Sequence, residues 1–258
     1  MTARTETAVA PFRPEAGPWR QAFVLTSAGV VIAAFSTAMF LVGAATLFRR
    51  KRFCREVLGK WLGRTLLFLA GWDLDVHGHI PEPNRQVVYV FNHTSTLDAV
   101  ILLAMRLPRT RFFLYGTYRR YLPVRMIGWA IGIFFTCPQS DRAGRVRVFQ
   151  GAGSVLRATG DSVALSPEGA RITNGEIGPF NKGAFHLATS LGAPLVPIYF
   201  AIPRSANPGK GLFSRPARVQ VHVGEAISTA DWALEDLDAN RARVRDHFLA
   251  LNRRLARA

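Results

Sequence analysis

Between Gln21 and Phe48 the chain carries no charged residue for 28 consecutive positions. As a helix rising 1.5 Å per residue, that run measures about 42 Å. The hydrocarbon core of a bilayer is about 30 Å thick. The run therefore predicts a membrane-spanning helix with room to tilt. Small residues recur along it (Ala28, Gly29, Ala33, Ala34, Ala38, Gly43, Ala44 and Ala45), a pattern suited to close helix packing in lipid. Arg49, Arg50, Lys51 and Arg52 follow at once, with Arg55 just beyond. On the upstream side Arg4, Arg13 and Arg20 are offset by Glu6 and Glu15. The positive-inside bias places the downstream side in the cytoplasm. The expectation is an integral protein of the cytoplasmic (inner) membrane, with everything after the run facing the cytoplasm. A secretory signal peptide has a short apolar region behind a basic start. Here the run is too long and the basic cluster lies on its other side.

A second apolar stretch, Trp61 to Trp72, contains Arg64 and is too short to span. Leu58, Trp61, Leu62, Thr65, Leu66 and Leu69 recur at steps of three and four. That spacing fits an amphipathic helix lying in the membrane interface, and equally a helix packed on the soluble part. Composition agrees with a membrane-bound chain. Lys and Arg number 33 against 17 Asp and Glu, a net charge of +16, yet 49% of residues are hydrophobic. A disordered basic tail is poorer in apolar residues. Two cysteines exclude a disulfide scaffold. The expected organisation is a tail over 1–20, a membrane anchor over 21–72 (spanning plus interfacial helix), and one domain over 73–258.

Past Gly71 short β-branched or aromatic runs alternate with helical periodicity. Val87–Phe91, Arg111–Tyr115, Gly132–Thr136, Ser162–Leu165, Leu195–Phe200 and Val219–Val223 read as strands. Leu97–Met105, Arg142–Ala158, Lys182–Ser190 and Leu237–Leu255 read as helices. The last places Leu237, Val244, Phe248, Leu251 and Leu255 on one face. This alternation predicts an α/β fold whose mostly parallel sheet is flanked by helices, preceded by the membrane and interfacial helices.

The strand ending at Phe91 runs directly into Asn92-His93-Thr94-Ser95-Thr96-Leu97-Asp98. Open α/β sheets place their sites at such strand ends. With a helix starting near Thr94 or Ser95, the Asp98 carboxylate folds back onto the His93 imidazole. That contact fixes the tautomer and raises the basicity of the other ring nitrogen. The pair is then a general base able to take a proton from a hydroxyl; a pair that merely caps a helix is the competing reading. Leu165-Ser166-Pro167-Glu168-Gly169-Ala170-Arg171 follows a second strand, Phe180-Asn181-Lys182-Gly183 comes soon after, and Val196-Pro197 lies in a third strand. Gly132 to Thr136, then Asp141-Arg142, stand between the two main motifs.

In these blocks the sequence resembles the glycerolipid acyltransferases of the lysophosphatidate acyltransferase type. Their Asn-His-x4-Asp block is matched by Asn92, His93 and Asp98, and their Phe-Pro-Glu-Gly-Thr-Arg block by Pro167, Glu168, Gly169 and Arg171. A Gly-to-Arg block is matched more loosely by Gly132 to Arg142, and an apolar Val-Pro by Val196 and Pro197. Ser166 and Ala170 stand where Phe and Thr are usual. The resemblance implies transfer of a fatty acyl group from acyl-CoA or acyl carrier protein to a lysophospholipid, first 1-acylglycerol-3-phosphate. It makes His93 and Asp98 catalytic and assigns Arg142, Glu168, Gly169 and Arg171 to the acceptor. Asn92, Pro167, Lys182 and Pro197 take supporting places. It calls for no metal and no cofactor, membrane phospholipids as surroundings, and no nucleic acid.

Other chemistries fit less well. Ser95 and Ser166 lack a Gly-x-Ser-x-Gly setting. Asp73, Asp75, His77 and His79 alternate as a solvated strand face does, with a metal site as the alternative reading. A membrane-tethered binder of anionic lipid or nucleic acid accounts for the many arginines, but no nucleic-acid-binding signature accompanies them. No motif speaks to the oligomeric state.

Overall fold

The computed structural model describes residues 17–82 and 84–255. The tail through residue 16, with Arg4, Glu6, Arg13 and Glu15, lies outside the described residues. The chain runs α1 (Pro18–Ala45), α2 (Lys51–Phe53), a π-helical turn Cys54–Leu58, α3 (Gly59–Ala70), β1 (Trp72–His77), β2 (Val88–Phe91) and α4 (Asp98–Met105). Then come β3 (Thr110–Tyr115), α5 (Leu122–Ile131), β4 (Phe134–Thr136), α6 (Arg142–Thr159), β5 (Ser162–Leu165), α7 (Gly183–Leu191), β6 (Leu195–Ala201), β7 (Ala217–Val223) and α8 (Leu237–Leu255).

The strands form one seven-stranded sheet in the order β1-β7-β6-β2-β5-β3-β4. From β6 to β4 all neighbours are parallel. β7 turns antiparallel to β6, and β1 pairs parallel with β7. The sheet is thus mostly parallel, as expected, with a reversed edge.

Burial on both faces explains why β2 reads as an unbroken apolar run. Val87, Tyr89 and Phe91 join one apolar cluster, while Val88 and Val90 join another, the alternation of a pleated strand. The first cluster gathers Leu62, Leu66 and Leu67 of α3, Ile101 and Leu102 of α4, and Ile127 and Ile131 of α5. The second gathers Leu156 of α6, Phe185 and Leu187 of α7, and Val244 and Phe248 of α8. The helices make two layers with the sheet between them.

α1 is long and apolar enough to cross a membrane. Val24, Ala28, Ser36, Met39 and Gly43 are its buried residues. Phe40 and Phe48 both lie against Trp129 of α5, with ring centroids 5.9 and 3.8 Å apart. Elsewhere α1 exposes Phe23, Leu25, Val30 and Leu41. α1 is thus apolar on every side, with one stripe covered by protein. α3 crosses α4 closely at Gly63, where a Cβ would stand 2.6 Å from the Ala104 nitrogen and 2.8 Å from the Val100 oxygen. It turns Trp61 and Phe68 outward, the latter 81% exposed. One face therefore packs on the domain, while the other leaves Trp61, Arg64 and Phe68 exposed.

Three expectations change. Arg55 does not extend the exposed basic cluster. Its guanidinium is 5% exposed and lies 3.0 Å from Asp161, because the π-helical turn carries it beneath the start of β5. Gly132 does not begin a strand: with φ +76° it terminates α5 in the left-handed region, where glycine bears no Cβ penalty. α5 itself has no counterpart in the sequence reading, since Pro123, Val124 and Gly128 weaken its helical signature. Packing against α1 and Phe135 supplies what local preference lacks.

Candidate functional site

Asn92, His93 and Asp98 follow directly on the C-terminal end of β2. Asn92 is 2% exposed. Its side-chain oxygen accepts the Phe200 N–H at 2.7 Å and its NH2 donates to the Phe200 carbonyl at 3.1 Å. A carboxamide offers a donor and an acceptor as a peptide does, so Asn92 extends the pairing of β2 with β6 and fixes where His93 departs.

The helix begins at Asp98, later than Thr94 or Ser95. The reason is local: those amides serve the carboxylate instead of a helix. Asp98 Oδ2 accepts the Thr94 and Ser95 N–H groups at 2.8 and 2.9 Å, and His93 Nδ1 lies 2.7 Å from the same oxygen. Asp98 is fully buried, and the His93 side chain is 29% exposed. Burial pushes the Asp98 carboxyl up, opposed by the imidazole and the two amides. With Nδ1 committed to Asp98, Nε2 has no partner among the described residues and is the nitrogen available to a substrate. The Ser95 hydroxyl is buried and donates to the Pro208 carbonyl at 2.8 Å, which takes it out of any nucleophilic role.

The second block closes on the first. Glu168 is 6% exposed. One carboxylate oxygen accepts the His93 N–H at 2.5 Å, and the other accepts the Gly178 N–H at 2.8 Å. The His93 carbonyl in turn accepts the Ile172 N–H at 2.7 Å. The His93 backbone is therefore held at both ends by the loop after β5. Burial raises the Glu168 carboxyl, countered by these amides. Gly169 sits at φ +70°, where a Cβ would be 2.2 Å from Gln139 Nε2 and 2.7 Å from Asn181 Nδ2. The close approach that requires glycine is made by side-chain amides, not by backbone N–H groups. Asn181 anchors Pro167 and Glu168 by bonds to their carbonyls at 2.7 and 3.1 Å.

The arginines divide. Arg171 is exposed, and its chain neighbour Ile172 donates to the His93 carbonyl. Arg142 is exposed as the first residue of α6, at the same end of the sheet. Neither guanidinium has a carboxylate partner among the described residues. Lys182 lies apart, its ammonium 2.6 Å from Asp238 of α8. Pro197 sits within β6 opposite Val90, and its carbonyl accepts the Gly224 N–H. Gly178, Ile172 and Gln139 belong to the site's framework and were not singled out in the sequence. Two act through backbone N–H groups, which side-chain identity does not signal.

Two other polar groupings lie off this site. Asp75 pairs with Arg218 at 2.8 Å, and His77 stacks on His222 with centroids 4.9 Å apart. Among the described residues, no group of three or more His, Cys, Asp or Glu side chains is placed to hold a metal ion.

The profile of the family described as "Acyltransferase" matches residues 73–201. A chloroplastic 1-acyl-sn-glycerol-3-phosphate acyltransferase of Brassica napus is 32% identical over 151 residues, 58% of this chain and 42% of the relative. The alpha form of that enzyme from Mus musculus is 30% identical over 196 residues, 73% of this chain and 67% of the relative. The match spans 49% of a Chlamydomonas reinhardtii relative, so the chain covers less than half the length of the Brassica and Chlamydomonas relatives. The crystal structure of a 1-acyl-sn-glycerophosphate acyltransferase from Thermotoga maritima superposes with a TM-score of 0.68 at 20% identity. It covers 90% of this chain and 97% of its own.

Proposed function

The chain belongs to the acyltransferase family, and from that premise we propose that it acylates the free hydroxyl of a lysophospholipid. The acceptor is 1-acylglycerol-3-phosphate, the product phosphatidic acid, and the donor a fatty acyl thioester of coenzyme A or acyl carrier protein. The observation that carries this reading is the His93–Asp98 pair, 2.7 Å apart, buried on the Asp98 side and open on the His93 side.

His93 Nε2 takes the hydroxyl proton as the oxygen attacks the thioester carbonyl carbon. Asp98 holds the ring and balances the imidazolium charge as it forms. The tetrahedral intermediate collapses by breaking the carbon–sulfur bond. The departing thiolate takes the proton back, leaving an ester and a free thiol. These steps are proton and acyl transfers only, so the reading calls for no cofactor and no metal. Arg142 and Arg171 bind the acceptor's phosphate, where a guanidinium fork suits bidentate contact. Glu168, with both oxygens occupied by amides, holds His93 in place. Gly169, in the block assigned to the acceptor, leaves room for the Gln139 and Asn181 amides that brace the loop.

The anchor over 21–72 holds the domain over 73–258 against the cytoplasmic membrane, with the domain on the cytoplasmic side. Arg49, Arg50 and Arg52 are exposed where α1 ends, and each basic residue near an anionic surface contributes about 1 kcal/mol. The test is an acceptor panel with labelled acyl-CoA, using membranes that hold the protein or its His93→Ala variant. Transfer to lysophosphatidate by the wild type alone supports the reading. Transfer at the same rate by the variant refutes His93 as the base. Transfer only to another lysolipid moves the acceptor.

A further inference from the structure

The loop from Ser166 to Lys182 contains no helix or strand, yet it supplies two of the amides that hold the site. Four of its carbonyls are taken up from outside, by α8, which lies beyond the residues matched by the family profile. Arg241 donates to the Phe180 carbonyl at 3.2 Å and Asn252 to the Gly175 carbonyl at 3.2 Å. Arg245 makes the most direct contact. Its Nη2 donates to the Ile177 carbonyl at 3.0 Å and its Nε to the Gly178 carbonyl at 2.7 Å.

The Ile177 carbonyl and the Gly178 N–H belong to one planar peptide unit. Fixing the carbonyl at one edge aims the N–H at the other. That N–H is the one donated to Glu168, whose second oxygen receives the His93 N–H. A continuous series of bonds therefore joins Arg245 to the His93 backbone through one peptide and one carboxylate. The rigid guanidinium fork serves two successive carbonyls at once, which a lysine ammonium does less well.

We propose that Arg245 of the C-terminal helix is a positioning residue for the His93 imidazole, acting through the Ile177–Gly178 peptide and Glu168. The proposal rests on His93 being the base of the acyl transfer above. Misplacing a catalytic group by a fraction of its working distance costs about 10- to 100-fold in rate. Arg245→Met in the full-length protein should therefore lower kcat about tenfold while KM changes less than twofold. Arg245→Lys should recover part of the loss and guards against a variant that fails to fold.

The decisive comparison is made in a Glu168→Gln background. There Arg245→Met should add less than a twofold loss, because the connection through Glu168 is already weakened. Hydrogen–deuterium exchange of the wild type and Arg245→Met should show faster exchange both in 172–182 and in 91–98. An unchanged kcat, an equal loss in both backgrounds, or faster exchange confined to 172–182 would overturn the proposal. A wild type that acylates no lysolipid would overturn the proposed reaction instead, and the exchange comparison would still decide the Arg245 connection.

Discussion

Two charged clusters built on buried carboxylates, a pair in one and a single group in the other, sit at opposite ends of the sheet and are neutralised in opposite ways. At the C-terminal end of β2, Asp98 and Glu168 are held by backbone N–H groups and one imidazole. At the start of β5, Asp161 is surrounded by permanent cations, with Arg55 at 3.0 Å, Arg111 at 2.8 Å and Arg109 at 3.8 Å. Burial pushes all three carboxyls up. At Asp98 and Glu168 it prevails; at Asp161 the Arg55 and Arg111 guanidiniums outweigh it and hold the group below its ordinary range. A carboxylate ringed by arginines is locked in one charge state and fastens elements together. A carboxylate held by backbone dipoles and an imidazole can instead orient that ring and balance its charge. Arg55 comes from the turn between α1 and α3, so its cluster ties the N-terminal helices to the sheet, and the other holds the residues proposed above for the acyl transfer.

The largest test of this contrast is Asp98→Asn. It preserves the shape but favours the wrong tautomer of His93, and it should lower kcat by about 10^4-fold with little change in the melting temperature. A loss below tenfold would show that Asp98 is structural, like Asp161. The reverse is expected of Asp161→Asn. Leaving Arg55 buried without its partner should cost about 3–5 kcal/mol of stability, read by chemical denaturation, while kcat of the folded fraction stays within about twofold.

Acid should separate the clusters too. Asp161 has a lowered native pKa, so its contribution is fully present above the ordinary carboxylate value of about 4 and is lost as pH falls through the native value. The wild type should lose stability in that acid window, and the loss should be smaller in Asp161→Asn. Equal acid sensitivity would place the effect elsewhere. The smallest expected effect is that of Arg171→Gln. Removing one charge-assisted contact should raise KM for lysophosphatidate about tenfold, with no comparable rise for an acceptor lacking a terminal phosphate.

The two clusters also differ in how far the sequence reveals them. Asp98 and His93 are five positions apart, and their contact is closed by a turn whose amides come from Thr94 and Ser95, so the spacing foretells the contact, although the helix expected from Thr94 or Ser95 begins only at Asp98. Glu168 is identifiable as a residue but not in its bond to His93, 75 positions away. Arg55 reads as one more member of a basic run until the fold brings it to Asp161, 106 positions on. Arg245 reads as surface charge on an amphipathic helix, although its partners are two carbonyls that no side chain announces.

What the sequence determined by itself was local or periodic. The apolar length of α1, the alternation of buried strands with helices, and the turn that folds Asp98 onto His93 all arise from interactions within a few residues. Only the tertiary structure decided that β7 and β1 reverse the sheet's edge, that α5 is a helix, and that one face of α3 packs on α4. It alone decided that the loop after β5 grips the His93 backbone. Each of these depends on which distant backbone groups and apolar faces meet, and that is set by how the whole chain buries its surface while satisfying its hydrogen bonds.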